Sequence, residues 1–138
     1  VTRALSYRVG VTPAPDDLSA LYEQAGETFP GSAELLHRAV ENSSWVATAW
    51  DEGRLVGLAR VLTDGVWAAC FQELLVHPSY HHQGVGKGLF DLYETAFGHL
   101  RRQVIVTEVD WVRAKFVKRG FHDEPAALSR WRPLAAQD

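Results

Sequence analysis

At 138 residues, 46% of them apolar and 22% charged, the chain is long enough to bury one core and too apolar for disorder. Fourteen Lys and Arg against 17 Asp and Glu leave a net charge of −3 with His neutral, which excludes the basic footprint that nucleic acid or an anionic membrane requires. The single cysteine, Cys70, excludes an intrachain disulfide, and no apolar run approaches the roughly 20 residues that span a bilayer. With no basic-then-apolar leader, these features predict a cytoplasmic protein of one domain over residues 1–138, with neither nucleic acid nor membrane as partner.

Along the chain, "LSYRV" (5–9) alternates apolar and polar residues and predicts a short strand. "TPAPDDLSALYEQAG" places prolines and acids ahead of Leu18, Leu21, Tyr22 and Ala25, a helix closed by Gly26. In "FPGSAELLHRAVENS", Ser32 is the expected cap of a second helix, with Leu35, Leu36, Ala39 and Val40 on one face. "WVATAW" (45–50) and "LVGLARVL" (55–62) read as a hairpin about "DEGR", and "VWAACFQELLV" (66–76) as a long, mostly apolar inner strand.

The glycine-rich "HHQGVGKG" then leads into Leu89, Leu92, Tyr93, Ala96, Phe97 and Leu100, whose spacing predicts an amphipathic helix over 84–100. "QVIVTEV" (103–109) predicts a strand. "DWVRAKFVKRGF" predicts a short helix capped by Asp110 and stopped by Gly120, and "LSRWRPL" (128–134) a final edge strand. The order β-α-α-β-β-β-α-β-α-β describes an α/β protein with a mixed sheet and a parallel crossover around helix 84–100.

Three glycines in five positions (Gly84, Gly86, Gly88) cost backbone entropy, so their placement asks for a reason. A strand, a glycine loop and a helix start can bind a phosphate through backbone amides alone; a plain glycine-rich turn is the other reading. The nucleotide P-loop fails, because His81 stands where its first glycine belongs and Gly88 where its Ser or Thr belongs. The dinucleotide fingerprint fails too, with Leu89 in place of its third glycine and the loop in mid-chain.

"ELLVHPSYHHQGVGKGLF" resembles the acetyl-coenzyme A motif of the GNAT family of N-acetyltransferases, an apolar strand followed by Gln/Arg-x-x-Gly-x-Gly/Ala opening a helix. "FVKRGF" (116–121) is similar to the family's Phe-Tyr-Glu-Lys-x-Gly-Phe helix end, and the likeness extends over residues 45–121. It implies that amides of His82, Gln83, Gly84, Val85, Gly86, Lys87 and Gly88, with His81 at the motif's Gln/Arg position, hold the pyrophosphate of coenzyme A. It also implies that the main chain of Leu74, Leu75 and Val76 pairs with the pantetheine arm where strand 66–76 splays from 103–109. Phe116 stands at the family's Tyr position and has no proton to give a leaving thiolate.

An acceptor amine of pKa near 10.4 is almost wholly protonated at neutral pH, so transfer needs a base. Glu73 is the expected one, its pKa raised by burial; a Glu at a bulge or edge pointing to solvent is the alternative. A backbone N–H near Leu75 or Val76 would face the oxyanion. Tyr80 and Tyr93 read as packing or loop-anchoring residues. His77, His81 and His82 straddle a proline with no second ligand type nearby, so no metal is predicted. Arg113, Lys115, Lys118 and Arg119 form a basic stripe that is either solvated or in contact with the 3′-phosphate end of coenzyme A. Trp45, Trp50 and Trp67 are expected on strands, in the core or lining the acceptor pocket.

Together these readings predict an N-acetyltransferase acting on acetyl-CoA and a primary amine of a small molecule or peptide, by direct transfer in a ternary complex. The alternatives are a catalytically weak or inactive acyl-CoA-binding module, which Phe116 favours, and a nucleotide-binding module. A homodimer through a sheet edge or the last strand is compatible with the sequence. The amine is not legible in it.

Overall fold

The computed structural model of the protein describes residues 4–107, 109–124 and 127–135. Its elements are β1 (Leu5–Val9), α1 (Pro15–Gln24), α2 (Ala33–Glu41), β2 (Trp45–Asp51), β3 (Arg54–Thr63), β4 (Ala68–Val76), a 3₁₀ turn (Pro78–Tyr80), α3 (Val85–Phe97), β5 (Arg102–Ile105) and α4 (Asp110–Lys118). The strands form a single sheet in the order β1-β2-β3-β4-β5, antiparallel throughout except for the parallel β4–β5 pair that α3 connects. This is the α/β mixed sheet with one parallel crossover that the sequence predicts.

Period-2 and period-3.6 patterns meet across the sheet to make two apolar layers. Phe71, Phe90, Tyr93 and Phe116 gather on the α3–α4 face. Leu18, Leu21 and Leu36 of the first two helices meet Leu58 and Leu75 on the other. Proline opens α1, where its missing N–H costs nothing, and the Ser32 hydroxyl caps α2 by accepting the Leu35 N–H at 3.0 Å. Gly57 lets α3 settle onto the sheet: a Cβ there would lie 2.8 Å from Val85 Cγ1 and 3.0 Å from Leu89 Cδ1.

Four expectations need correction. Residues 128–134 form no strand, and Leu128 and Trp131 are almost fully exposed. The apolar residues there recur every third position, at 128, 131 and 134, so an extended chain would split them between two faces, and Pro133 removes a ladder donor. The strand predicted at 103–109 is the four-residue β5; the Thr107 hydroxyl accepts the Val109 N–H and turns the chain toward α4, while Glu108 lies outside the described residues. Asp110 is the first residue of α4 rather than its cap. Trp67 precedes β4 and is 58% exposed, because the Asp64 carboxylate accepts the amides of Val66, Trp67 and Ala68 and holds that stretch as a turn.

Candidate active site

The register of β3 against β4 sets the site. Gly57–Arg60 pair with Val76–Glu73, and Val61–Thr63 pair with Phe71–Ala69, so Gln72 is the extra residue of a β-bulge. Uninterrupted alternation would put Glu73 on the face of Phe71, against α3. The bulge reverses the parity and turns Glu73 to the α1–α2 face with Leu75, opposite Arg60.

The bulge also marks where the sheet opens. β4 pairs with β5 only through Ala68–Phe71, and among the described residues Gln72–Val76 have no strand partner on that side. The His77 N–H donates to the Val56 carbonyl at 2.8 Å; counting back along the antiparallel ladder, the peptide groups of Leu75 face β3 and those of Leu74 and Val76 face the gap. The three residues implied to pair with a pantetheine arm are therefore divided. Leu75 spends its main chain on the ladder and its side chain in the core.

Glu73 does not point freely to solvent. Arg60 grips it with both arms of the guanidinium, Nε to Oε2 at 3.1 Å and one terminal nitrogen to Oε1 at 3.2 Å. The other terminal nitrogen donates to the Ser43 hydroxyl at 3.2 Å, and that hydroxyl donates to the Ala39 carbonyl of α2. Burial pushes the Glu73 carboxyl up to about 7. The fork of a group that stays charged at neutral pH favours the carboxylate and opposes that rise. Cys70 shares this face, and burial raises its thiol, which keeps it protonated and a poor nucleophile.

Past β4, the loop residues occupy distinct places. The His81 ring donates from Nε2 to the Val76 carbonyl at 3.0 Å, which leaves that oxygen one lone pair toward the gap. The Gln83 amide donates to the Ser79 carbonyl, and the Tyr80 hydroxyl to Asp51 at 2.5 Å, anchoring the turn to the end of β2. His82 and Gly84 take left-handed backbone conformations at φ 62° and 83°. Gly84 caps α3 with no side-chain acceptor, so the amides of Val85, Gly86 and Lys87 open the helix without a capping partner. The Gly88 amide is already inside the helix, donating to the Gly84 carbonyl at 2.9 Å.

Gly86 and Gly88 serve different purposes. A Cβ at Gly86 would make only an ordinary 3.7 Å contact with Val76 Cγ2, so its side of the helix mouth is open. A Cβ at Gly88 would stand 2.5 Å from the Tyr7 hydroxyl oxygen: β1 lays its tyrosine across the helix there. Tyr7 and Arg60 are the two residues sequence reasoning missed. A lone arginine inside "LVGLARVL" was a signal, since a charge among apolar strand residues needs a partner.

The remaining candidates are held by the protein itself. Tyr93 is fully buried, donates to the Gln103 side chain at 2.8 Å, and is pushed up to about 12 by burial, so it is not a ready acid. Phe116 packs against Phe71, Phe90 and Phe121 with ring centroids 5.1–5.5 Å apart. Arg113 bonds the Thr107 carbonyl and Asp123, Arg119 bonds Asp91, and Lys115 lies over the Trp111 ring, so the basic stripe is largely spent within the chain. Trp50 is buried with its indole N–H on Thr48, and Trp45 packs edge-on to Phe97. A cavity of about 750 Å³ lies along β5, α4 and the chain after it, with no residue of 77–88 in its wall.

The site thus joins a mixed sheet that parts after Phe71 to the glycine-rich start of α3, which has no side-chain cap. A family model described as an acetyltransferase (GNAT) domain matches residues 41–123. Among curated proteins no sequence matches. A GNAT-family acetyltransferase from Streptococcus pneumoniae superposes with a TM-score of 0.77 at 24% identity, covering 94% of this chain and 100% of that one. A ribosomal-protein-alanine N-acetyltransferase from Brucella melitensis does so at 0.68 and 15%, covering 93% and 100%. An aminoglycoside N-acetyltransferase in complex with CoA does so at 0.65 and 17%, covering 95% and 97%. The chain belongs to the GNAT acetyltransferase family.

Proposed function

We propose that the protein is an acetyl-CoA-dependent N-acetyltransferase that passes the acetyl group directly to a primary amine in a ternary complex. The observation that carries this reading is the alignment of two open features, the unpaired gap beside Gln72–Val76 and the uncapped helix start at Val85–Lys87. The helix start supplies amides that no side chain caps among the described residues and a positive dipole end for a diphosphate, and Gly86 adds no side chain in their way. Main chain of Leu74 and Val76 would pair with an extended arm lying in the gap. In this reading the amides of His82–Lys87 take the diphosphate, the His81 ring holds the Val76 carbonyl in place, and Leu75 and Gly88 shape strand and helix.

In the reaction, Glu73 takes a proton from the acceptor ammonium, directly or through water, and Arg60 holds the carboxylate in place. The amine attacks the thioester carbonyl, and a gap-facing N–H of Leu74 or Val76 stabilises the oxyanion. Collapse of the tetrahedral intermediate breaks the C–S bond and releases the thiolate. A free thiol pKa near 8.5 makes that thiolate a tolerable leaving group without a dedicated acid, which suits Phe116. A second reading, an acyl-CoA-binding module without turnover, is favoured by the same Phe116 and by the engagement of both Glu73 oxygens with Arg60.

Thermal unfolding with coenzyme A, ATP and NAD, followed by thiol detection with acetyl-CoA across an amine panel, tests both readings. Coenzyme A at a hundredfold excess over its Kd should stabilise the fold by about 2.7 kcal/mol, with ATP and NAD well below it. Stabilisation without thiol release would leave the binding module. No stabilisation would end both.

A further inference from the structure

We propose that residues 128–134 of one copy of the chain seat in the groove beside β5 of a second copy, each copy serving the other in turn. This pairing stands apart from the acetyl-transfer reading, because the groove has no residue of 77–88 in its wall. The segment carries large apolar side chains with little against them: Leu128 and Trp131 are 102% and 92% exposed, and Leu134 is 45% exposed. An exposed leucine is ordinary, but a tryptophan bare on every side forfeits what its burial would yield. The segment is neither helix nor strand. Its spacing of three suits a polyproline-II turn, in which 128, 131 and 134 share one face, Pro133 fits, and the backbone needs no ladder.

The groove is the cavity of about 750 Å³ along β5 and α4. β5 is the last strand of the sheet, so one of its edges is open, and Val106 and Val117 of the wall are 63% and 48% exposed. Ala127 lines the groove and Leu128 does not, so each chain leaves its own groove where its apolar face begins; that divergence favours a second copy over a fold-back. The polar rim agrees. Arg113 and Arg119 of the wall pair with Asp123 and Asp91, and Arg101 lies over the Trp67 ring. Among the described residues that leaves one wall arginine, Arg102, against two carboxylates without an ion pair, Glu94 and Glu124, and Arg130 and Arg132 of the incoming segment are unpaired as well. Two indoles of roughly 200 Å² each, with the groove surface that covers them, take on the order of 800 Å² from water. The leucines bring the two seats past the roughly 1,000 Å² that a specific interface needs.

Sedimentation of the full chain should show a concentration-dependent dimer with a Kd of about 10 µM or tighter. Trp131→Asp and Val117→Asp, both at exposed positions, should each weaken the dimer about tenfold or more while circular dichroism stays that of the parent. Val106→Asp, outside any helix, repeats the groove test should Val117→Asp disturb α4. Mixed together, the segment variant and the groove variant should associate more tightly than either does alone, because the intact groove of the first accepts the intact segment of the second. A monomeric parent overturns the pairing, as does a dimer that survives either substitution. A mixture no more associated than its components overturns it too.

Discussion

Arg60 and Glu73 face each other because one residue, Gln72, shifts the parity of β4. Their contact is an ion pair with side chains only 12% and 21% exposed, and it divides the chemistry expected of Glu73. Burial raises the carboxyl above its ordinary range and makes it the stronger base; the guanidinium works against that and keeps the base ionised. Glu73→Gln should therefore slow acetyl transfer by roughly 10²–10⁴ and remove the acidic limb of its pH profile. Arg60→Gln should move that limb upward by about one pH unit or more, and Arg60→Lys, which retains the charge, should restore most of it. A limb that stays put in Arg60→Gln would mean that another group sets it. The sign for stability follows from the raised pKa: the folded protein holds the Glu73 proton more tightly than the unfolded chain, so this group's contribution to stability is fully present below about pH 4.5 and is lost as pH rises through about 7.

At the scale of elements, the glycines of α3 separate into two kinds. Gly86→Ala adds a methyl group in ordinary van der Waals contact with Val76 and gains helix propensity, so stability should hold or rise by up to about 1 kcal/mol while coenzyme A binding weakens. Gly88→Ala should destabilise, because the new Cβ meets the Tyr7 ring, and Tyr7→Ala should rescue it in a double-mutant cycle. Melting temperatures and coenzyme A titrations of the four variants check this. If Gly86→Ala binds coenzyme A as the parent does, the helix mouth is not the diphosphate site.

The contrast shows what one sequence can and cannot reveal. The spacing of Leu89, Tyr93, Phe97 and the run 84–88 announce helix and loop, because those signals are local. Tyr7 against Gly88 and Arg60 against Glu73 join residues far apart in sequence, and neither can be read before strand register is known. The bulge is the clearest case: an apolar–polar string such as "CFQELL" carries no mark of the residue that will be left unpaired.

For the whole molecule, one sheet serves two apolar layers, and its parallel seam is the weak line. β5 is four residues long, partly exposed, and joined to β4 over four register positions, whereas β3 is flanked by strands on both sides. Amides of Arg102–Ile105 should exchange with solvent hydrogen through smaller openings than those of Leu55–Leu62. Added coenzyme A should slow exchange at Gln72–Val76 and Val85–Lys87. Exchange there that ignores coenzyme A would argue against the gap as the binding place.

A row of free peptide groups along a strand is a template on which a second polypeptide can crystallise into a shared ladder, the first step toward fibrils. The gap-facing peptide groups of Leu74 and Val76 begin such a row among the described residues, yet the surplus residue just before them bends and twists the strand, spoiling the flat register a stranger would need. The irregularity that opens the sheet thus doubles as insurance against self-association through that edge.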